Sequence, residues 1–188
     1  MFAMRRGHVL GVILLVVLVL AFRLFSPRST RSTLSTPSAP GPAAASGNGG
    51  RDVPVPTSCT PEVNEKLADL VVHQTQENVD NVMVCGVAIS PSRTQRGGEH
   101  GSHQVLPLLV NLPGAGTKLV EVVTNDDLDG VVTAPKGAQV FAYGQAFFDQ
   151  GSRFVAGIHD VHCATHRTAD NGWVVVNGVK SPVSCPVR

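Results

Sequence analysis

The sequence predicts a mainly β protein, in which a small OB-like closed barrel of about five strands with one N-terminal helix follows a single transmembrane helix and a disordered linker. Three observations predict this class. Charged residues make up 15% of the chain and aromatic residues 5%, while Val and Gly are frequent, and this composition favours strands over helices. Short apolar runs alternate with turn-forming residues. One uninterrupted apolar run lies near the N-terminus.

The N-terminal apolar run predicts a membrane anchor. Residues 9–22 carry no charge, and arginines flank them on both sides. The run is short for a spanning helix, but no small-x-small cleavage site follows it. We therefore expect an uncleaved signal anchor over residues 8–25 that contacts the lipid bilayer, after a short cytoplasmic N-terminus at residues 1–7. Secretion after signal cleavage is the alternative.

The segment after the anchor predicts a disordered linker over residues 26–58. It is rich in Ser, Thr, Pro, Ala and Gly and has few large apolar residues, so it buries too little surface to offset the entropy of ordering. The remaining residues, 59–188, form the predicted extracytoplasmic β-barrel domain. That domain carries a net charge of −4, whereas residues 1–58 carry +5. Nucleic-acid binders present basic surfaces, so no nucleic-acid partner is expected.

The four cysteines all follow the anchor, and their even number predicts disulfides in an oxidising compartment. The expected location is therefore the cell membrane, single-pass, with the C-terminal domain outside the cytoplasm. Three pairings are possible, and the one that we favour joins Cys59 to Cys185 and Cys85 to Cys163. A disulfide-bonded Cys163 cannot serve as a nucleophile.

The elements of the domain follow from local patterns. Thr60 and Pro61 begin a helix that should end near Glu77. Alternating or continuous apolar runs then predict strands at 81–90, 104–111, 117–124, 138–148, 153–163 and 173–176. The turns at 113–116 and at Asn177–Gly178 favour hairpins. The loop 125–137 takes the place of the helix usual between the third and fourth strands.

The densest group of chemically active side chains lies at 158–166, which holds three histidines and a cysteine, and the single Trp173 follows. The candidate ligand-binding residues are His103, Gln104, Asn125, His159, His162 and Trp173. On an extended strand His159 and His162 point to opposite faces, so they converge only if the strand bends or ends between them.

Structural roles compete with each of these assignments. The histidines can serve as hydrogen-bonding residues at the barrel mouth. Trp173 is expected to anchor the core or its rim. The acids at 126, 127 and 129 are expected to form a solvated turn, since the twelve-residue calcium-loop pattern is incomplete.

Several of these residues also resemble a known family. The residues concerned are His103-Gln104, Asn125 with Leu128, Gly137-x-x-Val140-x-x-x-Gly144, His159-x-x-His162, and Gly172-Trp173 with Gly178. Together they resemble a group of uncharacterised bacterial proteins known as domain of unknown function 3465, over roughly residues 84–181. This chain has Asp160-Val161 where that group favours Trp-Thr. The resemblance implies a small extracytoplasmic β-domain and carries no established activity.

The sequence therefore predicts a membrane-tethered extracytoplasmic domain that acts as a binding or interaction module for an unknown envelope ligand or protein. No complete catalytic set is present, so no catalytic residue and no cofactor are predicted. The alternative is a metal-binding protein or metal-dependent enzyme that holds zinc or copper. Its ligands would be His103, His159, His162 and His166.

Overall fold

The computed structural model describes residues 50–97, 101–165 and 169–186 of the chain. A 3-10 turn at Pro61–Asn64 leads into helix α1 (Glu65–His73), and a one-turn helix α2 (Asp126–Asp129) lies further along the chain. The strands are β1 (Val79–Ala88), β2 (Arg93–Arg96), β3 (Ser102–Leu112), β4 (Gly116–Asn125), β5 (Gln139–Phe148), β6 (Ala156–His159), β7 (Trp173–Val176) and β8 (Val179–Ser181).

Five of these strands close into a barrel. Strand β1 pairs with both β3 and β5, which completes the circuit β1–β3–β4–β6–β5. The pairs are antiparallel except for β4 with β6, which is parallel. Outside the barrel, β2 pairs with β3, β7 pairs with β5, and β8 pairs with β7. The predicted closed barrel and its N-terminal helix are confirmed, and closure leaves the five-stranded circuit without a free edge.

The barrel interior is filled by aliphatic side chains that alternate along the strands. On β4, Val120 and Val122 point inward and are fully buried, and on β3 Leu106 and Leu108 do the same. Helix α1 places Leu67 against this core. The side chains between these residues on β3 and β4 point away from the core.

A second buried cluster lies on the β1–β5–β7 side and orders the segment that precedes the barrel. The cluster consists of Cys85, Phe141, Tyr143, Trp173 and Val175, and Val53, Val55 and Val63 pack against it. Trp173 Nε1 donates a hydrogen bond of 2.9 Å to the carbonyl of Val53. Residues 50–58 therefore belong to the folded part, and the predicted linker boundary at residue 58 is wrong. Composition averaged over the linker conceals the two valines that pack.

All four cysteines form disulfides, as predicted, but the favoured pairing is wrong. The bonds join Cys59 to Cys85, with Cα atoms 5.6 Å apart, and Cys163 to Cys185, with Cα atoms 5.4 Å apart. The first bond ties the segment before the barrel to β1, and the second ties the loop after β6 to the C-terminal segment. The two bonds indicate an oxidising, extracytoplasmic environment.

Some element boundaries differ from those predicted. Helix α1 ends at His73 rather than near Glu77, because Gln74 adopts a left-handed backbone with φ of 52°. Strand β2 was not predicted, since its residues are all exposed and polar and give no apolar signal. It forms because it adds an antiparallel partner to β3.

Two further differences lie near the third and fifth barrel strands. The predicted loop 125–137 begins with the short helix α2. The strand predicted at 153–163 is confined to Ala156–His159. The predicted membrane span at 8–25 lies outside the described residues, and within those residues no helix has the length and apolar character to cross a bilayer.

Candidate functional site

The outward faces of β3, β4, β6 and β5 form a groove with a volume of about 530 Å³, called here the outer groove. Its polar lining comes from four parts of the fold: the residue before β1, the start of β3, the β4–α2 junction and the end of β6. These residues are Asn78, His103, Asn125, Asp129, His159, Asp160 and His162. A pocket of this size with a few convergent polar groups is the usual form of a small-ligand site.

The apolar part of the outer groove centres on Phe147. Its ring covers Gly157 on the neighbouring strand so closely that a Cβ at Gly157 would enter the ring. The ring also meets the His159 imidazole edge-on, with centroids 5.4 Å apart. Val123, Leu128 and Phe148 complete this side, and 54% of the Leu128 surface is exposed. An aromatic face and a ring of polar atoms thus lie side by side.

The end of β6 brings two histidines onto one carboxylate. Strand β6 stops at His159, and Asp160 adopts a left-handed backbone with φ of 51°. His159 Nδ1 lies 3.3 Å from Asp160 Oδ1, and His162 Nε2 lies 3.6 Å from the same oxygen. The strand therefore ends between the two histidines, which is the condition that the sequence sets for their convergence.

The surroundings of His162 favour its protonated form. Its Nδ1 lies 2.8 Å from the carbonyl oxygen of Cys163, so that nitrogen carries a hydrogen. Its Nε2 faces the Asp160 carboxylate, and this contact is the main cause that raises the pKa of His162. Hydrogen bonds from His159 and His162 in turn hold the pKa of Asp160 far below its usual range. The two groups form an ion pair at the groove whenever His162 is protonated.

Two glycines create the space for this arrangement. A Cβ at Gly144 would meet the carbonyl of His159, and one at Gly172 would meet the carbonyl of Asp160. The Gly172 amide also donates a hydrogen bond of 2.7 Å to the carbonyl of His162. The backbone that carries the two histidines is therefore held by close approaches that only glycine permits.

Replacement of Gly144 by alanine is expected to cost about 1–3 kcal/mol of unfolding free energy, because the added methyl group overpacks the contact with the His159 backbone. Urea unfolding of the oxidised chain measures the cost. Gln139→Ala on the same strand is the control, since the Gln139 side chain is exposed. Equal, small effects of the two changes would contradict the close approach.

The opposite wall of the outer groove contains a buried acid. Asp129 is 8% exposed, and its Oδ2 accepts a hydrogen bond of 2.6 Å from the backbone N–H of Asn125. Its Oδ1 has no hydrogen-bond partner among the described residues, and burial raises the pKa of this carboxyl. The expectation of a solvated acidic turn is therefore wrong for Asp129, because the helical turn of α2 folds this residue back onto its own start.

The structure places four predicted ligand-binding residues together and separates two. His103, Asn125, His159 and His162 line the outer groove. The other two are buried elsewhere: the Gln104 amide donates to the Asp126 carboxylate at 3.1 Å, and Trp173 lies in the second cluster.

Sequence reasoning missed Phe147 and Asp129 as groove residues. Asp129 carried one usable signal, since it follows the helix-capping Asn125 by four positions, whereas Phe147 carried none.

Of the predicted metal ligands, His166 lies outside the described residues. In the part of the chain that the structure describes, no group of three or more His, Cys, Asp or Glu is placed to hold a metal ion.

Comparisons of this chain with protein-family models, with curated proteins and with solved structures find no match.

The ion pair at the end of β6 predicts a bell-shaped dependence of stability on pH. Ionised Asp160 has a lowered pKa, so its contribution is present above its ordinary pKa of 3.8 and is lost as the pH falls further. His162 has a raised pKa, so its contribution is present below its ordinary pKa of 6.5 and is lost as the pH rises through its folded pKa. Both contributions are present together between these two values.

Asp160→Asn is expected to lower the unfolding free energy by less than about 1 kcal/mol near pH 5.5, because the pair is partly exposed, and by less at pH 8.5. Asparagine tolerates the left-handed backbone at this position, so the change tests charge rather than strain. Urea unfolding at the two pH values measures the difference. The same loss at both pH values would contradict the ion pair.

Proposed function

We propose that the chain is a membrane-tethered, extracytoplasmic binding module of the bacterial envelope and that its ligand occupies the outer groove. The main support is the groove itself, in which imidazole, carboxylate and amide groups converge beside an aromatic ring on a rigid barrel. The two disulfides support a location outside the cytoplasm. Residues 8–25 would anchor the chain, and the linker would hold the barrel away from the bilayer.

The strand order supports an OB-like classification of the barrel. We number the five barrel strands one to five in chain order. Strand one then pairs with two, two with three, three with five, five with four, and four with one. In OB folds the face of the second and third strands binds ligands. Those strands are β3 and β4 here, and the outer groove lies on their outward face. This is an analogy between folds, and it supports binding without identifying a ligand.

The residues that resemble domain of unknown function 3465 support the same assignment. Gly144 and Gly172 allow the close approaches that shape the end of β6, and His159 and His162 line the outer groove. The residues that the chain would share with that group therefore shape the outer groove as well as the core. We propose that the groove is a binding surface common to the group.

A metal-dependent function is the rival proposal. The observation that favours it is the contact of His159 Nδ1 with Asp160, since carboxylates commonly orient metal-binding histidines in this way. His103 lines the same groove, and zinc or copper would be the metal. Elemental analysis of the full chain purified from membranes tests it. Near-stoichiometric zinc or copper that His159→Ala removes, and His73→Ala on the exposed helix surface retains, would replace the binding module.

The location is tested by fractionation of bacterial cells that express the full chain with a C-terminal tag. We expect the chain to remain with membranes after carbonate extraction and the tag to be digested by protease added to spheroplasts. Deletion of residues 8–25 is the control, and it should abolish membrane retention. A protected tag together with four free thiols would overturn the proposal.

A further inference from the structure

Among the residues that the structure describes, the outer groove presents more hydrogen-bond acceptors than donors. The Asn78 amide donates to Gln145 at 2.9 Å, which leaves the Asn78 carbonyl oxygen as an acceptor. His159 Nδ1 faces Asp160, which leaves Nε2 as the ring nitrogen that a ligand hydroxyl can reach. Asp160 Oδ2 receives no hydrogen bond from the described residues. The clearest free donor among the described residues is the side-chain Nδ2 of Asn125, because the side-chain oxygen of this residue already caps α2.

This inventory selects the chemistry of the ligand. A phosphate or carboxylate group brings no donor for the acceptors that the groove presents. An ammonium ion gains little at Asp160, whose charge is already shared with two histidines. A neutral molecule with many hydroxyl groups supplies the missing donors and has no net charge to desolvate.

The apolar side of the groove fits the carbon skeleton of such a molecule. The Phe147 ring is held at the surface by Gly157 beneath it and by the His159 ring at its edge. A flat ring beside hydrogen-bond acceptors matches a sugar ring, which has an apolar C–H face and a polar hydroxyl rim. A second cavity of about 390 Å³ shares His103 and Val123 with the groove and continues to Glu121. The two cavities therefore adjoin at His103 and Val123.

We propose that the outer groove binds a neutral oligosaccharide, with one sugar ring on Phe147 and hydroxyl groups that donate to His159 Nε2 and Asp160 Oδ2. This inference rests on the proposed function, since it names the ligand class of that groove. It places the barrel as a glycan-binding module held at the cell surface.

Isothermal titration calorimetry on the full oxidised chain tests the ligand class. The chain is kept in a detergent that has no sugar headgroup, because a sugar headgroup would compete for the groove. The neutral probes are chitopentaose, cellopentaose and maltopentaose. Spermine and a single-stranded dT oligonucleotide represent cations and polyanions. We expect saturable binding of at least one pentasaccharide and of neither charged probe.

Variants locate the binding in the groove. Phe147→Ala and Asp160→Asn are each expected to weaken binding about tenfold or more, whereas His73→Ala leaves the affinity unchanged. Phe147→Leu retains apolar bulk without the flat ring and replaces Phe147→Ala if that variant fails to fold by near-ultraviolet circular dichroism. Binding that neither change alters would overturn the inference, because the sugar would then lie elsewhere.

The failure of this inference is distinguishable from the failure of the proposed function. Saturable binding of spermine or the oligonucleotide, without any pentasaccharide, would overturn the glycan assignment but keep a binding module. The absence of pentasaccharide binding in a folded chain would also overturn it. The proposed location fails separately, through the protease and thiol measurements.

Discussion

Replacement of Trp173 by alanine is expected to lower the unfolding free energy by about 3–5 kcal/mol, which is much of the stability of an ordinary domain. Trp173 is 1% exposed, and its ring stacks on Tyr143 with centroids 5.9 Å apart. Its loss leaves a large cavity in the second cluster and removes the donor to the Val53 carbonyl. Denaturant unfolding of the oxidised chain measures the change.

Trp173→Phe separates packing from hydrogen bonding. Phenylalanine keeps an aromatic ring but has no N–H for the Val53 carbonyl, so a smaller loss of about 1 kcal/mol is expected. Both variants should also expose the chain near Arg51 to trypsin, because Trp173 holds that segment against the barrel. A cost below 1 kcal/mol for Trp173→Ala, together with unchanged proteolysis, would contradict the packing of residues 50–58.

The paired change Cys59→Ser with Cys85→Ser is expected to lower the unfolding free energy by roughly 3–4 kcal/mol, because it frees a loop with a sequence separation of 26 residues in the unfolded chain. The other pair, Cys163→Ser with Cys185→Ser, closes a separation of 22 residues and should cost a similar amount. Denaturant unfolding compares the two double variants with the oxidised parent chain.

The two disulfides differ in their effect on the outer groove, and each serves as the control for the other. The carbonyl of Cys163 accepts the His162 hydrogen bond, so loss of the second disulfide should bring the pKa of His162 closer to its ordinary value. Loss of the Cys59–Cys85 bond should leave that titration unchanged, as followed by histidine NMR signals. Peptide mapping under non-reducing conditions checks the connectivity, and a Cys59–Cys185 peptide would contradict the arrangement.

The outer groove illustrates how the backbone brings the side chains of a short sequence pattern together. His159 and His162 have a spacing that on a continuous strand would separate them. The left-handed backbone at Asp160 turns the chain, and the two glycines at 144 and 172 leave room for that turn. The acceptor-rich surface follows from this geometry as much as from the side chains themselves.

Local physical chemistry made much of the fold predictable. The apolar pattern of 117–124 predicted β4, because a half-buried strand must alternate with period two. Asn177–Gly178 predicted the last hairpin, because both residues must adopt positive φ there, and they do. The even number of cysteines and the low helix-forming composition likewise predicted disulfides and a mainly β barrel, and both are confirmed.

The sequence by itself determined most of the strands, the hairpin turns, the presence of disulfides and the choice of His159 and His162 as candidate residues, since each depends on composition or on residues a few positions apart. The tertiary structure alone decided which cysteines pair, that Trp173 is buried away from the groove, that Asp129 is buried in its wall and that Phe147 joins the histidines. These outcomes depend on which distant segments the closed barrel places side by side, and no local pattern records that proximity.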